Sequence, residues 1–320
     1  MAKLNKQDYE NIENLIYARA RDLEIALFQY YMNEEDKEMA LHALTIYQNR
    51  DGGFGHGLEP DSLNPNSSGI QTDYALNIIK SLGYDNSNLD EVAEYVVYRA
   101  LHYVFRYAVD EEGYISATIA SNNDFPCASW WKHNEDNCKK EWGYNPTASL
   151  YSHALWFTSP AHKYYKKTLK YLPRCLEHYF ECNDINGHEL VCYLHLLDVM
   201  KKKNIMPEIL NKFENKINKD IDRLIISDLD KWGNQYSDSC YPLEILIYDY
   251  LVNSDERKQL IDKNLDYLIN SHKDGLWDIS WDWGNEYQEF ELQRIKWRGV
   301  VSVNNLALLK KYNRIEKTIS

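Results

Sequence analysis

A short motif recurs along the chain: an acidic residue, one or two glycines and an aromatic residue follow a stretch with helical periodicity. The clear copies are Asp51-Gly-Gly-Phe54, Glu112-Gly-Tyr114, Asp230-Lys-Trp-Gly233 and Asp274-Gly-Leu-Trp277, and Asp184-Ile-Asn-Gly187 is a weaker one. They lie roughly 43 to 73 residues apart, close to the upper range of helical-hairpin repeats. Glycine accepts the left-handed conformation that ends many helices. The motif therefore predicts a chain built from helical hairpins.

The helices between these motifs alternate in character. Residues 207–226 and 256–271 each carry a single apolar stripe, which predicts helices with one face in water. Residues 187–200, 241–252 and 300–309 are apolar on nearly all sides, which predicts helices buried on most sides. The alternation predicts an outer layer of half-exposed helices around an inner layer of buried ones.

These patterns predict an all-α fold, an α/α toroid of about five to six helical hairpins, forming a single domain over residues 1–320. We expect a leading helix near residues 7–31, and a kink or a break at Pro173. The outer–inner pairs are predicted at 37–48 with 69–82, 90–108 with 145–157, 163–181 with 187–200, 207–226 with 241–252, and 256–271 with 300–312.

Composition narrows the classes of function. Only 13 glycines and 8 prolines favour long helices, and the net charge of −13 opposes nucleic-acid binding and docking on anionic membranes. Six cysteines without disulfide-framework or metal-ligand spacing, and the lack of a signal or transmembrane segment, predict a soluble cytoplasmic protein. The partner we expect is a small-molecule substrate. The sequence gives no indication of oligomeric state.

Three long loops, at 51–69, 125–147 and 274–301, concentrate acids and tryptophans. In a ring these loops meet at one rim, so we predict that their acids converge there as catalytic residues: Glu59, Asp61, Asp278 and Asp282. The alternative for Glu59 and Asp61 is helix capping and loop hydrogen bonding. For Asp278 and Asp282 it is a salt bridge to the nearby arginines.

Further side chains of the loops are predicted to bind the substrate, through aromatic faces or hydrogen bonds: His56, Trp130, Trp131, Asn145, Trp281 and Arg298. The alternative for each tryptophan is packing of its loop, and for Asn145 it is capping of the following helix. His188, His195 and Asp198 lie in a dry helix and are predicted to be satisfied core groups.

Four segments resemble a bacterial group described as prenyltransferase-like or terpene-cyclase-like, within the terpenoid-cyclase and protein-prenyltransferase α/α toroids. They are QNRDGGFGHGLEPD, ASWW with NPTAS, YPLE at 241–244, and DGLWDISW with KWRGVVSVNNLALL. The resemblance implies a toroid with a central cavity. It also implies roles for Tyr241 and Glu244 at the substrate site.

The chain departs from both chemistries of that superfamily. Ser67 and Ser68 stand where the aspartates of a cyclase Asp-x-Asp-Asp motif belong. Asp238-Ser-Cys240 resembles the zinc pair of a protein prenyltransferase, but no histidine follows in the last inner helix. We therefore expect no zinc, no other metal and no cofactor.

Three functions remain open. The first is an enzyme, a lyase or transferase, that acts on a small apolar, isoprenoid-like molecule by acid-initiated chemistry in an aromatic cavity. The second is a carbohydrate-active hydrolase or lyase that uses paired carboxylates. The third is a non-catalytic accessory protein that binds a small molecule or a peptide.

Overall fold

The fold is mostly helical, as predicted. The computed structural model describes residues 1–34, 37–135, 138–232, 240–272, 274–284 and 287–316, and pairing between extended segments in this part of the chain is limited to isolated bridges. The α-helices, in chain order, are α1 (Lys6–Arg19), α2 (Asp22–Asn33), α3 (Lys37–Thr45), α4 (Gly69–Ser81), α5 (Glu91–Tyr103), α6 (Cys138–Trp142), α7 (Thr147–Phe157), α8 (Lys163–Glu181), α9 (Gly187–Lys202), α10 (Pro207–Leu224), α11 (Pro242–Ile245), α12 (Asp255–Ser271) and α13 (Phe290–Lys311).

The described residues divide into two compact units. The first contains residues 1–46, 227–232 and 241–316, and with them helices α1 to α3 and α11 to α13. The second contains residues 47–226 and Cys240, and with them helices α4 to α10.

In the second unit, buried helices alternate with half-buried ones, as the hydropathy pattern predicts. Almost every residue of α7 and most residues of α9 are buried, whereas α8 and α10 bury one stripe each. The buried helices are neighbours: α7 packs against α4 and α9. The half-buried helices α5, α8 and α10 pack on α4, α7 and α9 respectively.

The order within each hairpin differs from the prediction. We predicted that a half-buried helix pairs with the dry helix that follows it, such as 163–181 with 187–200. The main contacts instead join each dry helix to the half-buried helix after it, as in α7 with α8. Within the second unit, the alternation of buried and half-buried helices is as predicted, but the pairing is shifted by one helix along the chain.

In the first unit, α13 is longer than predicted and packs on α1 and α2. It starts at Phe290, so the third loop ends about eleven residues before Val301. Gly299 lies inside the helix rather than at its start, and a Cβ atom there would lie 3.0 Å from the Cβ of Ala20. The glycine therefore permits close packing within this unit and does not break the helix.

The two ends of the described chain are held together. The Leu4 amide donates to the carbonyl of Arg314 (2.8 Å), and the Glu316 amide donates to the carbonyl of Leu4 (3.0 Å). The nearly buried guanidinium of Arg314 donates to Asp266 (2.6 Å) and to the carbonyl of Ala2 (2.9 Å). Segments far apart in sequence thus form one clamp.

Two further predictions about helices are wrong, and a third is wrong in part. Residues 241–252 do not form one helix, because helical structure there is confined to α11 and a short 3₁₀ turn at Asp249–Leu251. The expected leading helix is two helices, since the chain becomes extended at Ala20 and Arg21. Of the kink or break predicted at Pro173, the break is absent, because helix α8 continues through that residue.

In three copies of the recurrent motif the glycine adopts the predicted left-handed backbone, with φ angles of +99° at Gly52, +90° at Gly113 and +86° at Gly275. Gly187 of the weaker copy instead begins α9, and Gly233 lies outside the described residues. Each of the three left-handed glycines lies in a turn a few residues beyond the end of its helix, so it shapes the connection and does not cap the helix. In the part of the chain that the structure describes, no helix is both long and apolar enough to span a bilayer.

Candidate functional site

Two of the three predicted loops meet in the second unit. The Ala128 amide donates to the carbonyl of Asp61 (2.8 Å), and the Leu63 amide donates to the carbonyl of Pro126 (3.0 Å). The side chains of Glu59 and Asp61 are both buried. The loop that carries the first pair of predicted acids is therefore fixed against the loop that carries Trp131.

Trp131 is the most deeply buried of the predicted substrate-binding tryptophans. It is 8% exposed and stacks on Trp142 with ring centroids 4.7 Å apart. Its indole nitrogen has no hydrogen-bond partner among the described residues. Trp130, next to it, is half-buried.

The other predicted residues of these loops have local roles. His56 is exposed, has a φ of +62°, and its Nε2 lies 2.9 Å from Oδ1 of Asn49. The buried side chain of Asn145 accepts a hydrogen bond from the thiol of Cys192 (3.4 Å). His56 thus behaves as a turn residue, whereas Asn145 links its loop to α9.

In the first unit, Asp278 forms an ion pair. Arg294 donates to both oxygens of its carboxylate, from Nε (3.1 Å) and from a terminal nitrogen (2.7 Å). Partial burial raises the pKa of Asp278, but the hydrogen bonds and charge of Arg294 outweigh it, so that the pKa lies below its ordinary value. This geometry favours the salt-bridge interpretation over that of a proton donor.

The remaining predicted residues also lie in the first unit. Asp282 is exposed and accepts the Gly284 amide (2.7 Å), as in an ordinary turn, and Trp281 stacks edge-on against Trp297. Glu244 accepts the amide of Tyr241 (2.8 Å), and desolvation raises its pKa. Arg298 lies on α13. The convergence of these residues with Glu59 and Asp61 stays a prediction.

A different group of polar side chains, in the second unit, has the geometry of a functional site. It lies on the neighbouring helices α4, α7 and α9, and we call it the α4–α7–α9 centre: Asp73, Lys80, His153, His195 and Asp198. Asp73 and Lys80 are seven residues apart and so share one face of α4, with Asn77 between them. Charged groups on largely apolar helices are costly unless they are paired or have a function.

Asp73 and His153 form the first part of the centre. Oδ1 of Asp73 lies 3.2 Å from Nε2 of His153, while Asn77 donates to Oδ2 of Asp73 (3.1 Å). The imidazole is fully buried. Desolvation lowers the pKa of His153 even though Asp73 opposes the shift, so the ring is neutral near pH 7.

Lys80 and Asp198 form the second part. Nζ of Lys80 lies 3.9 Å from Oδ2 of Asp198 and 5.0 Å from the centre of the Trp156 ring. Asp198, which is 2% exposed, has a closer partner in Lys202 at 3.0 Å. Desolvation lowers the pKa of Lys80 to about 8, although Asp198 acts in the opposite direction.

His195 lies on α9, three residues before Asp198. Burial lowers the pKa of His195 well below its ordinary value, and the positive charge of Lys80 acts in the same direction. Perturbed acids and bases that cluster in this way are typical of catalytic sites, although structural ion pairs also shift pKa values.

In the described part of the structure, four buried polar atoms in and beside the centre lack a hydrogen-bond partner. Oδ1 of Asp73, Nζ of Lys80, Nδ1 of His153 and Oγ of Ser152 are buried and have no hydrogen-bond partner among the described residues. The Asp73–His153 contact has the distance of a hydrogen bond but not its alignment, and catalytic hydrogen bonds often tighten only when substrate binds. Because native proteins pair nearly all their buried polar groups, these atoms make the centre a candidate site for a polar ligand.

The sequence did not lead us to predict this centre. We expected His195 and Asp198 to be core groups and did not single out Asp73, Lys80 or His153. Asp198 is indeed buried and ion-paired, but one of its partners is the desolvated Lys80. The signal available was the spacing of Asp73, Asn77 and Lys80 on a helix that is otherwise mostly apolar.

No arrangement of three or more His, Cys, Asp or Glu side chains suited to a metal ion occurs within the described ranges. Of the zinc pair considered above, Asp238 lies outside those ranges, and Cys240 is buried. Comparison of the chain with protein-family models, curated proteins and solved structures found no significant match. The family resemblance therefore stays a prediction.

Proposed function

We propose that the chain is an enzyme with an α/α-toroid fold, and that it moves protons to and from a small, largely apolar substrate at the α4–α7–α9 centre. The main observation behind this proposal is the group of buried polar atoms on α4 and α7 that lack a hydrogen-bond partner among the described residues. The pKa values of Lys80, His153 and His195, which belong to the same centre, are lowered. The row of dry helices and the clamp between the two chain ends support the toroid.

In this proposal, His153 is the general base. The negative charge of Asp73, 3.2 Å from Nε2, favours the tautomer that carries its proton on that nitrogen, which also lies 3.5 Å from Oγ of Ser149. This tautomer leaves the lone pair of Nδ1 available. Nδ1 is one of the unpartnered atoms, so a substrate C–H or O–H group can take that position. Asp73 orients the ring and stabilises its protonated form. Positive charge at the Lys80 nitrogen stabilises negative charge that develops on the substrate.

The test uses a metabolite extract from the source cells, in D₂O, with detection by mass spectrometry. We expect the wild-type protein to deplete one or a few apolar compounds and to incorporate deuterium into the product. Asp73→Asn and His153→Gln, which keep the approximate size of the side chains, should lower the rate by at least about 100-fold, the usual contribution of a general base.

The matched control is His102→Gln, at an exposed histidine of α5 in the same unit. It should act as the wild type does, and circular dichroism should show that all variants are folded. The proposal is wrong if Asp73→Asn and His153→Gln retain full activity, or if the wild-type protein changes no compound in the extract.

A second candidate is the acid-initiated chemistry that the sequence suggested, with Glu59 or Asp61 as the proton donor. The observation in its favour is that these buried acids share paired loops with Trp131, whose buried indole nitrogen is also unpartnered. Asp61→Asn in the same assay separates the two candidates. If it abolishes turnover while Asp73→Asn does not, the loops and not the helices carry the chemistry.

A further inference from the structure

Lys80 is held in an unusual position for a lysine. Its side chain is only 15% exposed, and its ammonium group lies 5.0 Å from the Trp156 ring and has no hydrogen-bond acceptor within the described part of the chain. Lysines that contribute only to stability keep the ammonium group in water or pair it closely. Lys80 does neither.

Neutralising Asp198 does not account for this position. Lys202 already lies 3.0 Å from the Asp198 carboxylate, whereas Lys80 is at 3.9 Å. A second, more distant and desolvated ammonium adds little to that pair and loses its own hydration. The Asp198 carboxylate therefore does not by itself explain why the Lys80 amine lies there.

We propose that Lys80 is a nucleophilic amine that condenses with the aldehyde or ketone carbonyl of a small substrate to form an imine. This inference rests on the proposed function of the α4–α7–α9 centre and names the class of its substrate. Three features support imine formation at the Lys80 amine. The amine is buried on α4, its Nζ has no hydrogen-bond acceptor among the described residues, and acid–base groups lie on α7 (His153) and α9 (His195 and Asp198).

The reaction balances without a further reagent. The Lys80 ammonium first loses a proton, for which neutral His195 or the Asp198 carboxylate is the acceptor. The nitrogen lone pair then attacks the carbonyl carbon, and a proton moves from this nitrogen to the carbonyl oxygen to give a carbinolamine. The acceptor returns the proton that it took from Lys80 to the new hydroxyl group, which leaves as water. The product is an iminium, which withdraws electrons from the neighbouring carbon. His153 can then remove a proton from that carbon.

The protonation behaviour of Lys80 agrees with this role. Burial lowers its pKa to about 8; Asp198 and Asp73 oppose the shift, and Lys202 reinforces it. At pH 7.5 roughly a quarter of such amines are neutral, against about one in a thousand for an ordinary lysine. A usable fraction of the nucleophile is thus present at neutral pH.

The first experiment is reductive alkylation of the intact protein with benzaldehyde and sodium cyanoborohydride, followed by peptide mapping. At pH 7.5 we expect Lys80 to be alkylated at least tenfold faster than Lys201 and Lys216, which hold ion pairs with Glu214 and Asp220. The rate at Lys80 should rise with pH and level off above about pH 8. Alkylation of Lys80 at or below the rate of these reference lysines would overturn the inference.

The second experiment uses variants. Lys80→Arg keeps the charge and Lys80→Met keeps the approximate length, and both should abolish the fast alkylation, which the control Lys201→Arg on α9 should retain. The deuterium assay then separates the two proposals. If Lys80→Met still turns over the substrate while Asp73→Asn does not, the centre is catalytic but the imine is wrong. If neither variant affects turnover, both proposals fail.

Discussion

Gly143 and Glu189 show how a single backbone position depends on a buried charge. The carboxylate of Glu189, 4% exposed, accepts the Tyr144 amide (2.8 Å) and lies 3.1 Å from Nε2 of His178. Gly143 has a φ of +55°, and a Cβ atom there would overlap that carboxylate. The Glu189 carboxylate is thus held between Tyr144 and His178, and residue 143 has no room for a side chain beside it.

We expect Gly143→Ala to lower the free energy of unfolding by about 2–4 kcal/mol, because it adds backbone strain to a clash with a buried carboxylate. Urea denaturation followed by circular dichroism measures the change. The control is Gly57→Ala, where φ is also positive but the nearest atom to an added Cβ is a leucine side-chain carbon at 3.2 Å. Equal effects at both positions would show that strain alone matters.

At the scale of the element, helix α8 contains a proline that the structure accommodates. Pro173 is exposed and lies in the middle of a 19-residue helix. It has no N–H to donate to the carbonyl one turn earlier, yet the helix continues, since its buried stripe packs against α7. Tertiary packing thus outweighs a local preference.

Replacing this proline should stabilise the protein. We expect Pro173→Ala to raise the free energy of unfolding by about 1–3 kcal/mol, since alanine restores the hydrogen bond and has the best helix propensity. Thermal unfolding of both proteins tests this. Glu177→Ala, at another exposed position of α8, should change the stability by less than about 0.5 kcal/mol. A loss of stability in Pro173→Ala would mean that the helix is shaped around its proline.

The helices that sequence predicted well are those with a clear pattern and recognisable ends. Residues 187–200 and 207–226 were predicted and are α9 and α10 almost to the residue, because Asn186 caps the first and Pro207 begins the second. Residues 241–252 misled the prediction, since a short apolar run fits a strand, a helix or a buried coil. Its β-branched and aromatic residues also favour helices weakly.

The site was harder to predict than the fold. Tryptophan-rich loops attract attention in a sequence, whereas Asp73, Lys80 and His153 are single polar residues in helices separated by tens of residues. Their association depends on the packing of α4 against α7 and of α7 against α9, which hydropathy patterns do not specify. What the sequence does show is that charged residues such as Asp73 and Lys80 occur in a segment that is otherwise mostly apolar.

For the molecule as a whole, buried neutral histidines give stability a defined dependence on pH. The pKa values of His153 and His195 are lowered from 6.5, chiefly by burial. As the pH falls through about 6.5, the unfolded chain takes up a proton on each ring and the folded chain does not. Because the unfolded state then binds more protons, the free energy of unfolding falls as the pH is lowered.

We therefore expect the midpoint of urea unfolding to decrease between pH 7 and pH 5.5. The double variant His153→Gln/His195→Gln should show a smaller decrease over the same range, measured relative to its own value at pH 7. Carboxylates with lowered pKa values, such as Asp278, add their loss of stability only at lower pH. An unchanged slope in the double variant would mean that both imidazoles are protonated in the folded protein.

The clamp holds Leu4 within hydrogen-bonding distance of Arg314 and Glu316, so these distant parts of the sequence are close in space. A short glycine–serine linker in place of residues 317–320 can join the old ends, and new ends fit the exposed turn at Pro160 and Ala161, between α7 and α8. Such a circular permutant should melt close to the parent temperature, whereas one opened inside α9 should not fold. In the permutant, the residues of the clamp are close together in sequence. The mean sequence separation of contacting residues is then smaller, so we expect the permutant to fold faster than the parent.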